Sequence, residues 1–208
     1  MTLFTYQGAP VRLHSSFFLI AAIYAFLGFQ QAGIPGALIA SVFVTMLFGI
    51  VLLHEMGHVA VAKRFGINTS SITLHILGGL AAIEKEPENP IEEIYIALAG
   101  PAVNIALLIL SIPFVLLSVP GSFEFAVINF VMGIFNLVPA YPMDGGRVFH
   151  ALLSMRYGPE KSKKISLRTT IAFAIAFVVA GLYMSWIGLI LVGGFLFIIA
   201  RAMQKNTT

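Results

Sequence analysis

The sequence predicts an all-α polytopic membrane protein with about six transmembrane helices and a small membrane-associated β-hairpin between helices 2 and 3. Three observations support this class. Of the 208 residues, 59% are hydrophobic and only 10% are charged, whereas a soluble domain usually carries about 25% charged residues. Several apolar stretches reach the roughly 20 residues that a helix needs to cross the bilayer. The basic residues segregate to one side of those stretches.

The apolar stretches define the predicted spans. The final apolar run, from 169 to 200, would be about 48 Å long as one helix, which is too long for one crossing. Gly181, Ser185 and Gly188 near its middle indicate a tight hairpin instead. The predicted spans are therefore about 15–33, 37–62, 91–118, 123–140, 168–184 and 186–203.

The charge distribution orients these spans. With six crossings, all 12 Lys and Arg residues fall on one side of the membrane or at its edge. The loops near 30–35, 119–124 and 184–186 contain none. The positive-inside rule then predicts a multi-pass protein of the cell membrane with both termini in the cytosol. The net charge of +3 thus reflects topology, and we expect no nucleic-acid partner.

The organisation of the chain is expected to be simple. Residues 1–208 are predicted to form a single domain without an added regulatory domain. A cleavable signal peptide is not expected, because Arg12 is the only positive charge in the first fourteen residues. Between the second and third spans, Ile72, Leu74 and Ile76 alternate with polar residues, and Gly78–Gly79 precedes another apolar run. This pattern predicts a β-hairpin at the cytosolic surface or in a protein-lined cavity, since open sheet edges cannot face lipid.

The strongest chemical signal is the sequence HEMGH near the cytosolic end of the second span. On a helix, His54 and His58 share one face and can bind one metal ion. Glu55 projects about 100° away, within reach of a water held by that ion. The alternative is a chance pattern with two hydrogen-bonded histidines. Because ionisable groups cost at least ~2.5 kcal/mol each near the membrane centre, we favour metal binding.

A third ligand is expected, because catalytic zinc usually has three protein ligands and an open position. The chain contains no cysteine, so the ligand must be His, Asp or Glu. Asp144 is the acidic residue predicted at membrane depth, where Pro139 and Pro142 break the fourth span and Gly145–Gly146 permits unusual backbone conformations. The alternative role for Asp144 is to cap the helix that follows.

Three asparagines in the spans allow two interpretations. Asn136, eight residues before Asp144, is predicted to donate a hydrogen bond to an oxyanion, with helix bridging as the alternative. For Asn104 and Asn129 we favour bridging, the common role of polar residues in spans.

The remaining polar residues of the spans are given lesser roles. His14, His75 and His150 are expected to be interfacial or packing residues. Arg147 is expected to anchor the interface, with pairing to Asp144 as the alternative.

Three motifs together resemble the site-2 protease family of intramembrane zinc metalloproteases: HEMGH, AGPAVN and FNLVPAYPMDGGR. The resemblance covers nearly the whole chain, with the motifs in the same order on the expected helices. It implies one Zn²⁺ per chain held by His54, His58 and Asp144, with Glu55 as the catalytic acid/base. It also implies a six-helix core with a membrane-associated β-hairpin.

These inferences predict a zinc metalloendopeptidase that cuts membrane-spanning protein substrates within or near the bilayer, with Glu55 and Asn136 as its catalytic residues. A metal-ion transporter that uses the same His/Asp cluster is the alternative. A catalytically idle membrane chaperone would require a damaged motif, and HEMGH is intact.

Overall fold

The computed structural model describes residues 1–75, 78–85 and 87–205, and it is mostly helical with one small sheet. This confirms the predicted fold class. The helices are α1 (Ser15–Arg64), α2 (Pro90–Leu116), α3 (Ser122–Asn136), α4 (Asp144–Tyr157), α5 (Pro159–Tyr183) and α6 (Ile187–Lys205); the strands are β1 (Thr2–Tyr6), β2 (Ala9–Leu13), β3 (Thr69–His75) and β4 (Gly78–Ile83).

Helix α1 consists of two arms that correspond to the first two predicted spans. Helical geometry is lost at Ala32 (φ −144°) and Gly33 (φ +62°); the second value lies in the left-handed region that glycine adopts without a steric cost. A Cβ on Gly36 would lie 2.9 Å from the carbonyl carbon of Gly28. The two arms therefore form a tight helical hairpin in which these glycines permit close contact of the backbones.

In the part of the chain that the structure describes, four helices are long and apolar enough to cross a membrane: α1, α2, α5 and α6. Large apolar side chains lie exposed along them, for example Ile39 (70% exposed), Leu110 (66%) and Ile198 (68%). Such surfaces are stable against lipid and would be costly in water. The chain is a multi-pass membrane protein.

Two predicted spans differ from the structure at their ends. The fourth, 123–140, is too long, because α3 ends at Asn136; Pro139 cannot donate a helical hydrogen bond and disfavours helical geometry in the residue before it. The fifth, 168–184, corresponds to a longer helix, because α5 starts at Pro159. Hydropathy does not detect its first two turns because they are rich in lysine.

The sheet is larger than predicted. The expected hairpin is confirmed as antiparallel β3 and β4, although Ile76 lies outside the described residues. The sequence analysis missed β1 and β2, which form a second hairpin at the N-terminus around Gln7 and Gly8, both at positive φ as in a type I′ turn. Strand β2 pairs in parallel with β3, so the sheet order is β1-β2-β3-β4 and β4 is an edge strand.

The described residues cluster into two compact units. Unit 1 comprises Met1–Glu86 and Ala99–Gly133, and unit 2 comprises Pro87–Leu98 and Ile134–Thr208. In unit 1 the sheet packs on the second arm of α1 through a core of Ala9, Val11, Val59 and Ile72. In unit 2 the core contains Ala140, Met143, Ala174 and Leu196. The expectation of a single domain stays a prediction.

Candidate metal centre

The two histidines of HEMGH lie on one face of the second arm of α1, as their spacing predicts. His54 and His58 are both buried, with 3% and 4% of their surfaces exposed. Their Nε2 atoms are 3.1 Å apart, and the rings meet nearly at right angles, with centroids 4.7 Å apart. Both coordinating nitrogens thus converge at one place inside unit 1.

The histidine pair fits a zinc ion. Two nitrogens bound to tetrahedral zinc at about 2.0–2.1 Å would be about 3.3 Å apart, close to the 3.1 Å between the Nε2 atoms. The space beside both nitrogens is kept free by Gly100 of α2. A Cβ at that position would lie 2.5 Å from Nε2 of His54 and would also collide with Nε2 of His58. A residue larger than glycine is therefore excluded there.

A chain of amide hydrogen bonds supports His54. Its Nδ1 lies 2.6 Å from Oδ1 of Asn104 on α2. The side-chain amide of Asn104 in turn donates to Oδ1 of Asn129 on α3, at 3.0 Å. The helix-bridging role of Asn129 is confirmed. Asn104 also bridges helices, but in addition it contacts His54, and this contact was not predicted. The sequence feature that could have indicated it is the position of Asn104 four residues after Gly100, on the same face of α2.

Glu55 lies beside strand β4. It is partly buried, and its Oε2 accepts a hydrogen bond from the backbone N–H of Ala81 at 3.2 Å. A Cβ on Gly79 would be 2.9 Å from the carboxylate carbon of Glu55, so the strand approaches the side chain closely only because residue 79 is glycine. Strand β4 of the predicted hairpin therefore touches the expected acid/base.

Gly57 allows α2 to approach the second arm of α1. A Cβ there would lie 2.8 Å from the carbonyl oxygen of Ala99 and from Cγ2 of Val103. Close approach of a neighbouring helix is thus the observed role of the glycine in HEMGH. This contact brings Gly100 and Asn104 to the histidines.

Asp144 lies in unit 2 as the first residue of α4 and is 8% exposed. The N-cap of that helix is Met143, so the alternative assignment of Asp144 as the capping residue is wrong. The interpretation of Gly145–Gly146 also needs correction: both residues are helical. Side chains there would collide with backbone atoms of Val138 and Ala140, at 2.6 Å in each case, so these glycines serve close packing.

The loop that precedes Asp144 is anchored within unit 2. The backbone N–H of Tyr141 donates to Oγ1 of Thr170 at 3.0 Å, and the hydroxyl of Thr170 donates to the carbonyl of Ser166 at 2.9 Å. Thr170 is fully buried. Asn136, the last residue of α3, is partly buried at the start of this loop; its role toward an oxyanion stays a prediction.

The other polar residues have local roles. His14 caps the N-terminus of α1 by accepting from the N–H of Ser16. Nε of Arg147 lies 3.7 Å from a carboxylate oxygen of Glu93. His75 ends β3, and His150 lies on α4 near the ring of Tyr141.

His54 and His58 in unit 1 and Asp144 in unit 2 are all buried, and their side chains offer two imidazoles and one carboxylate. Such a set is typical of catalytic zinc. It fits one Zn²⁺ and contains no soft sulfur ligand that would favour copper.

Known proteins share these features. A family model described as peptidase family M50 matches residues 42–123 and 121–177. A zinc metalloprotease of Methanocaldococcus jannaschii is 37% identical over 98% of this chain and 60% of its own length. A putative zinc metalloprotease of Mycobacterium tuberculosis is 32% identical over 77% of this chain and 45% of its own length. The chain thus spans about half the length of these curated relatives.

One solved structure, titled as the site-2 protease from Methanocaldococcus jannaschii, resembles the whole described fold. It superposes with a TM-score of 0.73 at 33% sequence identity, and the match covers 98% of this chain and 94% of that one.

A methyl group at residue 100 should impair metal binding. We expect Gly100→Ala to weaken zinc affinity about 5- to 150-fold, because overpacking costs about 1–3 kcal/mol and the collision falls on both Nε2 atoms. Competition with a chromophoric chelator measures the affinity. The control is Gly49→Ala, on the same helix as the histidines, where a Cβ would meet nothing within 4 Å. Equal affinities for the two variants would contradict the assignment.

Proposed function

The chain belongs to peptidase family M50, and from this premise we propose that it is a zinc-dependent intramembrane endopeptidase that hydrolyses peptide bonds within or near transmembrane segments of membrane proteins. The observation that carries the proposal is the convergence of the His54 and His58 nitrogens beside Gly100, with a carboxylic acid as the next residue along the same apolar helix.

We assign one zinc ion per chain to His54, His58 and Asp144, which leaves a coordination position open for substrate and water. When bound, zinc supplies Lewis-acid polarisation of a carbonyl and acidification of water. The roles of the protein follow from its side chains. The two imidazoles bind through Nε2, and the carboxylate of Asp144 supplies a negative charge that partly neutralises the ion.

Glu55 is the proposed general base and acid. Its carboxylate takes a proton from the attacking water and then returns that proton to the nitrogen of the departing amine. The amide of Asn136 is proposed to donate a hydrogen bond to the oxygen that becomes negative during attack.

The substrate has to unwind locally, because the carbonyls of a transmembrane helix are already hydrogen-bonded. Gly, Pro or Asn in the substrate span should lower that cost. We propose that the unwound segment pairs with the outer edge of β4, as extended peptides do with open sheet edges. Because Glu55 occupies the N–H of Ala81 on that edge, such pairing would also release the carboxylate for catalysis.

The competing function is transport of metal ions through the same ligand set. A transport site needs no general base, whereas Glu55 adjoins a ligand histidine and accepts a hydrogen bond from the backbone N–H of Ala81. This arrangement favours hydrolysis.

The membrane setting completes the proposal. We place the protein in the cell membrane with both termini in the cytosol, because all 12 basic residues lie on one side of the six predicted crossings. Its partners are lipid and transmembrane protein substrates.

Removal of the base should abolish cleavage without loss of the metal. Purified protein incubated with a membrane-spanning substrate is expected to cleave it, and Glu55→Gln is expected to do so about 10²- to 10⁴-fold more slowly at unchanged zinc content. A zinc chelator should stop the wild type and added zinc should restore it. Cleavage that survives the chelator, or full activity of Glu55→Gln, would refute the mechanism; zinc flux into liposomes without cleavage would favour the transporter.

The edge of β4 gives a second test. Ala81→Pro removes the N–H that we propose pairs with the substrate strand, and we expect about 2- to 10-fold slower cleavage, since a typical hydrogen bond contributes about 0.5–1.5 kcal/mol. Ala81→Ser keeps the N–H and should behave like the wild type. Zinc content should be equal in both variants. If the proline variant cleaves as fast as the serine variant, β4 takes no part in catalysis.

The proposed orientation is testable because the chain contains no cysteine. A membrane-impermeant maleimide added to intact cells should label Val119→Cys, in the loop between α2 and α3. It should label Glu160→Cys only after the membrane is opened. The reverse pattern would show that the orientation is wrong.

A further inference from the structure

We propose that Asn104 and Asn129 are positioning residues that fix the proton of His54 on Nδ1 and so direct the lone pair of Nε2 toward the metal. The proposal rests on the zinc-binding function above. Neither asparagine belongs to the ligand set, and Asn129 bonds to Asn104 and to the backbone of α3.

The hydrogen bonds from Asn129 through Asn104 to His54 form what we call the asparagine relay. Their direction is decided at Asn129. The side-chain nitrogen of Asn129 donates to the backbone carbonyl of Phe125 at 2.9 Å. A carbonyl oxygen can only accept, so the NH₂ group of Asn129 must face it. The other end of the amide, Oδ1, is then directed to Asn104 and accepts from its Nδ2 at 3.0 Å.

The same donor and acceptor argument applies to the imidazole of His54. With its Nδ2 committed to Asn129, Asn104 presents Oδ1 to Nδ1 of His54 at 2.6 Å. Because this oxygen also accepts only, Nδ1 must carry the proton. A neutral imidazole protonated on Nδ1 has its lone pair on Nε2, which is the form that coordinates a metal. Thus the backbone of α3 sets the tautomer of a ligand on α1 through two amides.

Burial makes this arrangement costly unless it has a purpose. Asn104 is 0% and Asn129 is 1% exposed, in helices whose other residues are predominantly apolar. An amide buried without partners costs about 1–3 kcal/mol on mutational scales, and a leucine would pack α2 against α3 without that risk. The hydrogen bonds of both amides lead to a single imidazole, which argues for positioning over simple bridging.

Loss of Asn104 and loss of Asn129 should therefore impair metal binding by His54 in different ways. Loss of Asn104 leaves the Nδ1 proton without its acceptor and the ring free to adopt the other tautomer. Loss of Asn129 leaves Asn104 in place but free to rotate its amide by 180°. The rotated amide would present NH₂ to Nδ1 and favour the proton on Nε2, where it blocks metal binding.

The test measures metal affinity and tautomer separately from cleavage. Zinc affinity of the full chain in lipid is measured by competition with a chromophoric chelator. Outer partners of ligand histidines typically affect affinity 10- to 100-fold, so Asn104→Leu should bind zinc about 10- to 100-fold more weakly. The zinc affinity of Asn129→Leu should also decrease. Asn129→Ser, whose hydroxyl can donate to the carbonyl four residues back and still accept from Asn104, should bind more tightly than Asn129→Leu.

A spectroscopic signature separates positioning from a merely structural role. In metal-free protein labelled with ¹⁵N-histidine, the nitrogen resonances of His54 should show a protonated Nδ1 in the wild type and a mixture of tautomers in Asn129→Leu. The matched control is Ser111→Ala, which removes a buried hydroxyl of the same helix α2 that donates to the carbonyl of Leu108. It should change neither affinity nor tautomer.

The outcomes are distinct from those of the proposed protease function. Wild-type affinity in Asn129→Leu, an unchanged tautomer, or Asn129→Ser no better than Asn129→Leu would each overturn the relay while leaving proteolysis intact. If Asn104→Leu does not fold, Asn129→Leu decides the question, because its substitution leaves every ligand and its direct partner in place. Absence of cleavage by the wild type would instead refute the protease function.

Discussion

The fold and the site both depend on the absence of water from the interior of a membrane. A polar group inside the bilayer must find its partner within the protein, because no solvent replaces a missing hydrogen bond. The buried asparagines meet this requirement: His54 is bonded to Asn104, Asn104 to Asn129, and Asn129 to the backbone of α3. The chain of hydrogen bonds that begins at an imidazole of α1 thus ends on the backbone of α3, and the same bonds that satisfy the bilayer constraint also orient the ligand.

Close approach of backbones is the second consequence of this setting. Without a strong hydrophobic force between helices in lipid, small residues at the contacts let van der Waals packing hold them together. Gly57 admits α2 to the second arm of α1, and Gly100 on α2 then faces the two imidazoles. In unit 2, Gly145 and Gly146 let the start of α4 pack on the loop that precedes it. The glycines flank the ligands because the ligands are placed where backbones meet.

Much of this could be predicted from the sequence, because hydropathy and helical spacing are local properties. The spans of α1, α2 and α6 follow from apolar length, and the i, i+4 spacing places both histidines on one face. Strands β1 and β2 escaped prediction, since five-residue strands before the first span carry little periodicity. The early start of α5 was hidden by its lysines. The contact of Asn104 with His54 joins residues 50 positions apart, and only tertiary packing reveals it.

Three of the five proposed site residues lie in unit 1, and contacts within that unit orient at least two of them. The side-chain amide of Asn104 on α2 is hydrogen-bonded to His54, and the backbone N–H of Ala81 on β4 donates to its neighbour Glu55. Adjacent residues on a helix point about 100° apart, so restraints on both fix the rotation of the helix about its axis as well as the two side chains. His58 lies one turn further along the same helix, with its Nε2 3.1 Å from that of His54. The β-sheet and the asparagine relay therefore act on the same helix from different directions, and together they preorganise the pair of nitrogens before any metal binds.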